Sequence, residues 1–204
     1  LTGTGTRMRD IALDPDSFTC QIRIMKSGDA FQKISSVDTA SEVWPTSELP
    51  THLAIHEELV SEGSSRKAIL HTHVNELIAL TQISEFNTED KINNLLWSMH
   101  PETVFFIPEG AGLVPYSLPG TDKMALMTLE KLKEHHAVIW EKHGALATGE
   151  NLLEAFDLID ILAKAARIFF MVKNAGYEPE RMKAEDLDEI RKTYLQEENN
   201  KSLL

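Results

Sequence analysis

The chain has 204 residues, 42% of them hydrophobic and 25% charged, so it can bury a sizeable core and is too apolar to be disordered throughout. No apolar run approaches the roughly 18 residues of a membrane span, and the single cysteine, Cys20, cannot close an internal disulfide. A formal charge of −12 excludes the basic face that a phosphate-backbone binder needs, which leaves an acidic, cytoplasmic globular protein as the expectation.

The sequence begins LTGTGT, without Met and without a signal-peptide pattern, as though inside a folded segment. Residues 18–25 alternate at period two and predict a half-buried strand, with a second short strand over 31–34 and a loop over 37–45. After Pro50, the spacing of Leu53, His56, Leu59 and Val60 predicts a helix over 51–61. A short apolar strand over 68–71 is followed by a helix over 75–80, and another helix runs from Asn87 to Met99. Residues 103–107 (TVFFI) are β-branched and aromatic, which predicts a buried strand ended by Pro108. Residues 109–120 carry three glycines and two prolines and read as a structured loop. A helix over 123–134 leads to a strand over 137–140, which closes in Lys142-His143-Gly144. The longest helix signal spans 152–174 and stops at Gly176 and Pro179; residues 183–200 predict a solvated terminal helix. Strands alternating with helices, with no repeat or linker, predict one α/β domain over residues 1–204.

The chemistry gathers on a few residues. In a strand, residues two apart share a face, so His71 and His73 point the same way and could grip one metal ion. His143, at the end of another apolar strand, can complete a three-histidine site with an open position, as catalytic zinc requires. The other histidines fit ordinary structural roles: His52 and His56 on a helix, His100 before a proline, His135 and His136 at a helix end. Two prolines bracket Thr46-Ser47-Glu48 and stiffen that loop. Taken alone it is a helix start with a surface glutamate; beside three histidines, Glu48 becomes a candidate general base and the hydroxyls candidate phosphate binders. The opening glycines and threonines make the same suggestion, because glycine lets backbone amides approach an anion.

With Glu48 in PTSELP, His71 and His73 in ILHTHVNELIALT, His143 in WEKHGALATGE and the loop from Pro108 to Asp122, the chain resembles the class II aldolase/adducin family over almost its whole length. The resemblance implies a three-layer αβα fold with a mostly antiparallel central sheet, assembled as a homotetramer with one Zn2+ per subunit. It implies retro-aldol cleavage of a ketose 1-phosphate, L-rhamnulose 1-phosphate in the subfamily that shares the proline–glycine loop, to dihydroxyacetone phosphate and L-lactaldehyde. Carried over, His71, His73 and His143 match the zinc ligands and Glu48 the catalytic acid/base. Thr4, Gly5, Thr46 and Ser47 match parts of the phosphate pocket, and Glu102 matches a carboxylate that reaches a neighbouring subunit's site. Family members also carry a preceding segment with a Gly-Asn phosphate motif, so the expectation is a domain that lacks its N-terminal part. Fuculose-phosphate aldolase, ribulose-phosphate 4-epimerase and sugar-phosphate dehydratase chemistries share the zinc set. A non-catalytic adducin-like module and a zinc hydrolase are rivals from other classes.

Overall fold

The computed structural model describes residues 1–26, 30–34 and 43–201. Two short helices, α1 (Met8–Leu13) and α2 (Pro15–Phe18), precede an antiparallel ribbon of β1 (Gln21–Ile24) and β2 (Phe31–Ile34). After α3 (Leu49–Ser61) come β3 (Ala68–Thr72), α4 (Asn75–Leu80), a 3-10 turn at Ser84–Phe86, α5 (Glu89–Met99) and α6 (Pro101–Phe106). The chain continues through β4 (Gly112–Val114), α7 (Asp122–Leu132), β5 (Ala137–Trp140), β6 (Gly144–Gly149), α8 (Leu152–Asn174) and α9 (Ala184–Lys201). The loop expected over 37–45 lies outside the described residues up to residue 42. Among the described residues no helix is long and apolar enough to cross a membrane.

The central sheet has the order β3-β6-β5-β4. The β3–β6 and β6–β5 pairs are antiparallel and the β5–β4 pair is parallel. The expected αβα architecture therefore stands; the sheet, expected to be mostly antiparallel, is mixed, with two antiparallel pairs and one parallel pair. The parallel pair follows from its connection: α7 carries the chain from β4 back to β5, as parallel neighbours require a crossover.

Alternation along the strands assigns the two faces. Ala137, Ile139, Ala145 and Ala147 face a core with α4, α5 and α8, built on Leu77, Leu80, Leu95, Leu96, Leu162 and Phe169. Val138, Trp140, Leu146 and Ile69 face the opposite layer, where α3 and α7 supply Ile55, Leu59, Met124 and Leu132. Since Ile69, His71 and His73 share parity, the histidines emerge on the α3/α7 side, at the end of β3.

The helix starts follow local chemistry. Thr88, Thr121 and Asn151 cap α5, α7 and α8 by accepting backbone N–H groups of the first turn. Helix α8 ends as expected: Gly176 takes φ +84°, a left-handed conformation that glycine adopts without penalty.

Four expectations need correction. Of residues 103–107, the first four lie in α6 and Ile107 follows it, so no strand forms; Pro101 sits in the first turn, and Thr103 and Val104 bury their side chains from a helical backbone. Here tertiary burial overrides β propensity. Residues 109–120 include β4, a short strand inside the loop. Strand β6 is absent from the sequence reading, since its residues are buried on both faces and show no alternation. The strand expected over 18–25 is confined to Gln21–Ile24, with Phe18 closing α2.

Candidate metal centre and its carboxylate

His71 and Thr72 end β3, and His73 follows on the way to α4. His143 occupies the tight turn between β5 and β6, not the end of a strand. The β3–β6 register pairs His71 with Leu146 and Thr72 with Ala145, which swings the turn beside the β3 histidines. Gly144 makes that approach possible, because a Cβ there would lie 2.5 Å from the Thr72 carbonyl oxygen and 3.2 Å from His71 Cε1. The turn is also strained. Lys142 takes φ +61° and is held by its N–H donating to Thr81 Oγ1 at 2.9 Å, while the His143 N–H donates to the Trp140 carbonyl at 3.1 Å.

One nitrogen from each of His71, His73 and His143 lies within 4.8 Å of the others. The ring centroids are 4.9 to 5.1 Å apart. His71 Nδ1 is 2.9 Å from the Ala145 carbonyl, which can only accept, so Nδ1 carries the proton and Nε2 offers a lone pair. That Nε2 is buried without a hydrogen-bond partner, and so is His143 Nδ1. Buried polar atoms are seldom left unpaired, and two unpaired imidazole nitrogens within a three-histidine cluster fit a borderline-soft divalent cation. Burial pushes the His71 pKa down to about 3, despite the Ala145 bond and with further lowering from His143, His73 and His52. Burial, then the charge of His73, also lowers His143. Both rings are therefore neutral and ready to donate lone pairs near pH 7.

Glu48 stands immediately before α3 and is only 5% exposed, so the ordinary surface-glutamate role does not apply. Its N–H donates to Thr46 Oγ1 at 3.3 Å, and its Oε2 accepts the Gly120 N–H at 3.0 Å. Gly120 has φ +72°, and a Cβ there would lie 2.6 Å from the Ser47 carbonyl oxygen, so the proline–glycine loop can close on this turn only through glycine. Burial raises the Glu48 pKa, partly offset by the Gly120 bond and by the charge of His73. The carboxyl thus holds its proton to higher pH than a solvated glutamate, within electrostatic reach of the triad.

The opening segment docks on the same turn. Gly3 bridges Pro45, Thr4 donates to the Trp44 carbonyl at 2.8 Å, and Thr46 donates to the Thr2 carbonyl at 3.0 Å. The antiparallel register sets Thr2 opposite Thr46 and Thr4 opposite Trp44, so Thr4 and Gly5 continue past Trp44 and are not brought alongside Ser47. Glu102 is placed elsewhere: it lies on α6 in the helical layer, with its Oε2 3.1 Å from His100 Nε2. The remaining histidines keep structural roles. His52 is a buried member of α3, held neutral to about pH 4 chiefly by burial. His135 lies between the Gly110 carbonyl and the Glu89 carboxylate.

Sequence reasoning missed Trp140, Thr81 and the backbone of Gly120. Trp140 is fully buried, with its ring centroid 4.4 Å from that of His71 and 5.0 Å from that of His143. Its place three residues before His143 carried no signal, because an indole in an apolar strand reads as core.

Residues 22–170 match the family of class II aldolase and adducin N-terminal domains. The chain is 44% identical over 188 residues to a rhamnulose-1-phosphate aldolase of Bacteroides thetaiotaomicron, covering 92% of this chain and 68% of that one. A rhamnulose-1-phosphate aldolase of Klebsiella pneumoniae is 31% identical over 195 residues, 95% of this chain and 70% of its own length. Among solved structures, a sugar-phosphate aldolase from Thermotoga maritima superposes with a TM-score of 0.75 at 36% identity, covering 87% of this chain and 72% of that one.

Proposed function

The chain belongs to the class II aldolase and adducin family, and from that premise we propose that it is a metal-dependent aldehyde-lyase that cleaves L-rhamnulose 1-phosphate to dihydroxyacetone phosphate and L-lactaldehyde in the cytoplasm. The observation that carries this reading is the convergence of three imidazoles with two orphaned buried nitrogens beside a buried carboxyl. The relatives named for that substrate supply its identity.

His71, His73 and His143 would hold the cation, Zn2+ by the nitrogen character of the set, one per chain. When bound, such an ion supplies Lewis acidity to a neighbouring carbonyl and hydroxyl. The chain's own residues do the rest. The bond between C3 and C4 of the ketose breaks, its electron pair goes to the ketone fragment, and the C4 hydroxyl gives its proton to solvent, from which Glu48 is later reprotonated, as it becomes the aldehyde. Glu48 delivers the proton that C3 takes up, which its raised pKa suits, and removes the same proton in the condensation direction. Gly120 aims that carboxyl by donating to Oε2, leaving Oε1 for the proton transfer. Thr4, Gly5, Thr46 and Ser47 would anchor the phosphate, fixing the reacting carbon against Glu48 by binding energy remote from the chemistry. Glu102, half-exposed on α6, would serve a neighbouring copy in a homotetramer.

A panel of ketose 1-phosphates tests the substrate. L-rhamnulose 1-phosphate should release dihydroxyacetone phosphate with the highest kcat/KM. A higher kcat/KM on L-fuculose 1-phosphate, or epimerised product without cleavage, would contradict the assignment.

A further inference from the structure

We infer that Trp140 is a positioning residue for the cation site, latched in place by Thr128 of α7. The inference rests on reading the three histidines as a divalent-cation site, and it adds a part of the molecule to which that reading gives no role. Trp140 touches two of the three imidazoles: its ring is tilted 36° to His71 and 31° to His143. It thus forms a tilted platform shared by the candidate ligand on β3 and the candidate ligand in the β5–β6 turn.

The platform has a fixed orientation. A buried indole N–H must find an acceptor, and the Trp140 Nε1–H donates to Thr128 Oγ1 at 3.0 Å. Thr128 in turn donates its own proton to the Met124 carbonyl at 2.8 Å, which leaves a hydroxyl lone pair facing the indole. Both residues are fully buried. Thr128 is a polar side chain on the apolar face of α7, where a valine would fill the same volume, so what its hydroxyl adds is the pair of hydrogen bonds to Trp140 and Met124. The bond ties the sheet's α3/α7 face to the plane of the indole, and the indole ties that plane to two ligand rings.

His71 already has a second anchor in its bond to the Ala145 carbonyl. His143 Nδ1 is buried without a hydrogen bond, so ring contact is what restrains that imidazole on the Trp140 side. A stacked imidazole also loses electron density when its nitrogen binds a cation, and the electron-rich indole face then attracts it more strongly. The platform therefore favours the loaded state over the empty one, which is what separates a positioning residue from core filler.

The test uses the whole chain, stripped of metal and titrated with Zn2+ against a chromophoric chelator, with the visible spectrum of the Co2+ form as a second readout. Trp140→Phe keeps an aromatic ring and loses the N–H, Thr128→Val removes the acceptor, and Thr128→Ser keeps it. Trp140→Phe and Thr128→Val should each weaken Zn2+ binding by about 10- to 100-fold, the usual cost of losing an outer partner of a ligand. Both should also alter the Co2+ bands, and Thr128→Ser should restore the wild-type affinity and spectrum. Wild-type affinity and an unchanged Co2+ spectrum in Thr128→Val would overturn the inference, whatever happens to its melting temperature. That variant and its serine partner carry the test if Trp140→Phe does not fold. If the wild-type chain itself binds no Zn2+, the metal-site reading fails and the platform fails with it; wild-type binding with indifferent variants removes the platform alone.

Discussion

Every residue of β5 and β6 is buried, whereas no residue of β1 or β2 is. The histidines are gathered against the first of these regions: His71 lies on β3, the edge strand paired to β6, His73 follows β3, and His143 is in the turn that joins β5 to β6. The candidate phosphate residues lie outside both, on thinly joined chain more like the second, where one isolated bridge and a few backbone bonds tie the opening segment to the PTSELP turn. Glu48 stands between them, buried like the first and built on a turn like the second. The contrast matches the chemistry. Metal ligands must be held to within a few tenths of an ångström, which a buried sheet provides. A phosphate is large and can be met by several amides and hydroxyls, so its binders can sit on less deeply packed chain.

The sharpest way to break this division is to disturb the sheet side. Gly144→Ala puts a methyl against the Thr72 carbonyl, and overpacking of this kind costs about 1–3 kcal/mol. The variant should lose stability and cation binding together, seen by denaturant titration and metal analysis. A variant that keeps a full equivalent of metal would show that the close approach of the turn is not what builds the triad. Glu48→Gln comes next, with an expected loss of about 10²- to 10⁴-fold in kcat and unchanged metal content. Surviving turnover would assign the proton transfer to another group. Gly120→Ala should fall between the regions. Its left-handed φ alone costs an alanine about 1–2 kcal/mol, and the displaced loop should lower kcat/KM while the cation stays bound.

The pH dependence of stability tests how closely the sheet side encloses its imidazoles. The fold holds His71 neutral down to about pH 3 and His52 down to about pH 4, against an ordinary value of 6.5. Below 6.5 the unfolded chain takes up protons that the folded chain refuses, so stability falls as pH falls and the loss levels off only below the folded values. Between pH 7 and pH 5 the two imidazoles should together cost the metal-free protein on the order of 4 kcal/mol. Urea midpoints that stay level across that interval would mean that neither imidazole is as enclosed as its surroundings indicate.

The sequence made the candidate metal ligands easier to see than the frame that holds them. Period-two spacing placed His71 and His73 on one face without any knowledge of the fold, and helices such as α4 and α8 announced themselves through apolar periodicity and a terminal glycine. Strand β6 was invisible, because burial on both faces erases alternation, and with it went the reason for Gly144. Helix α6 was misread because TVFFI has strand propensity and only the packing of Thr103 and Val104 decides otherwise. Glu48 was recognisable beside the histidines, yet its burial and its bond from Gly120 depend on a contact across seventy-two positions of sequence. Long-range closure of that kind leaves no local signature.

The most direct measurement is cleavage of L-rhamnulose 1-phosphate by the same preparation before chelation, after chelation and after titration with Zn2+. The account predicts that release of dihydroxyacetone phosphate disappears with the metal and returns in proportion to added ion, reaching its plateau at one equivalent per chain. His143→Ala should show no such recovery. Undiminished cleavage by protein shown to be metal-free would contradict the central claim that the three histidines on the buried sheet make the catalyst.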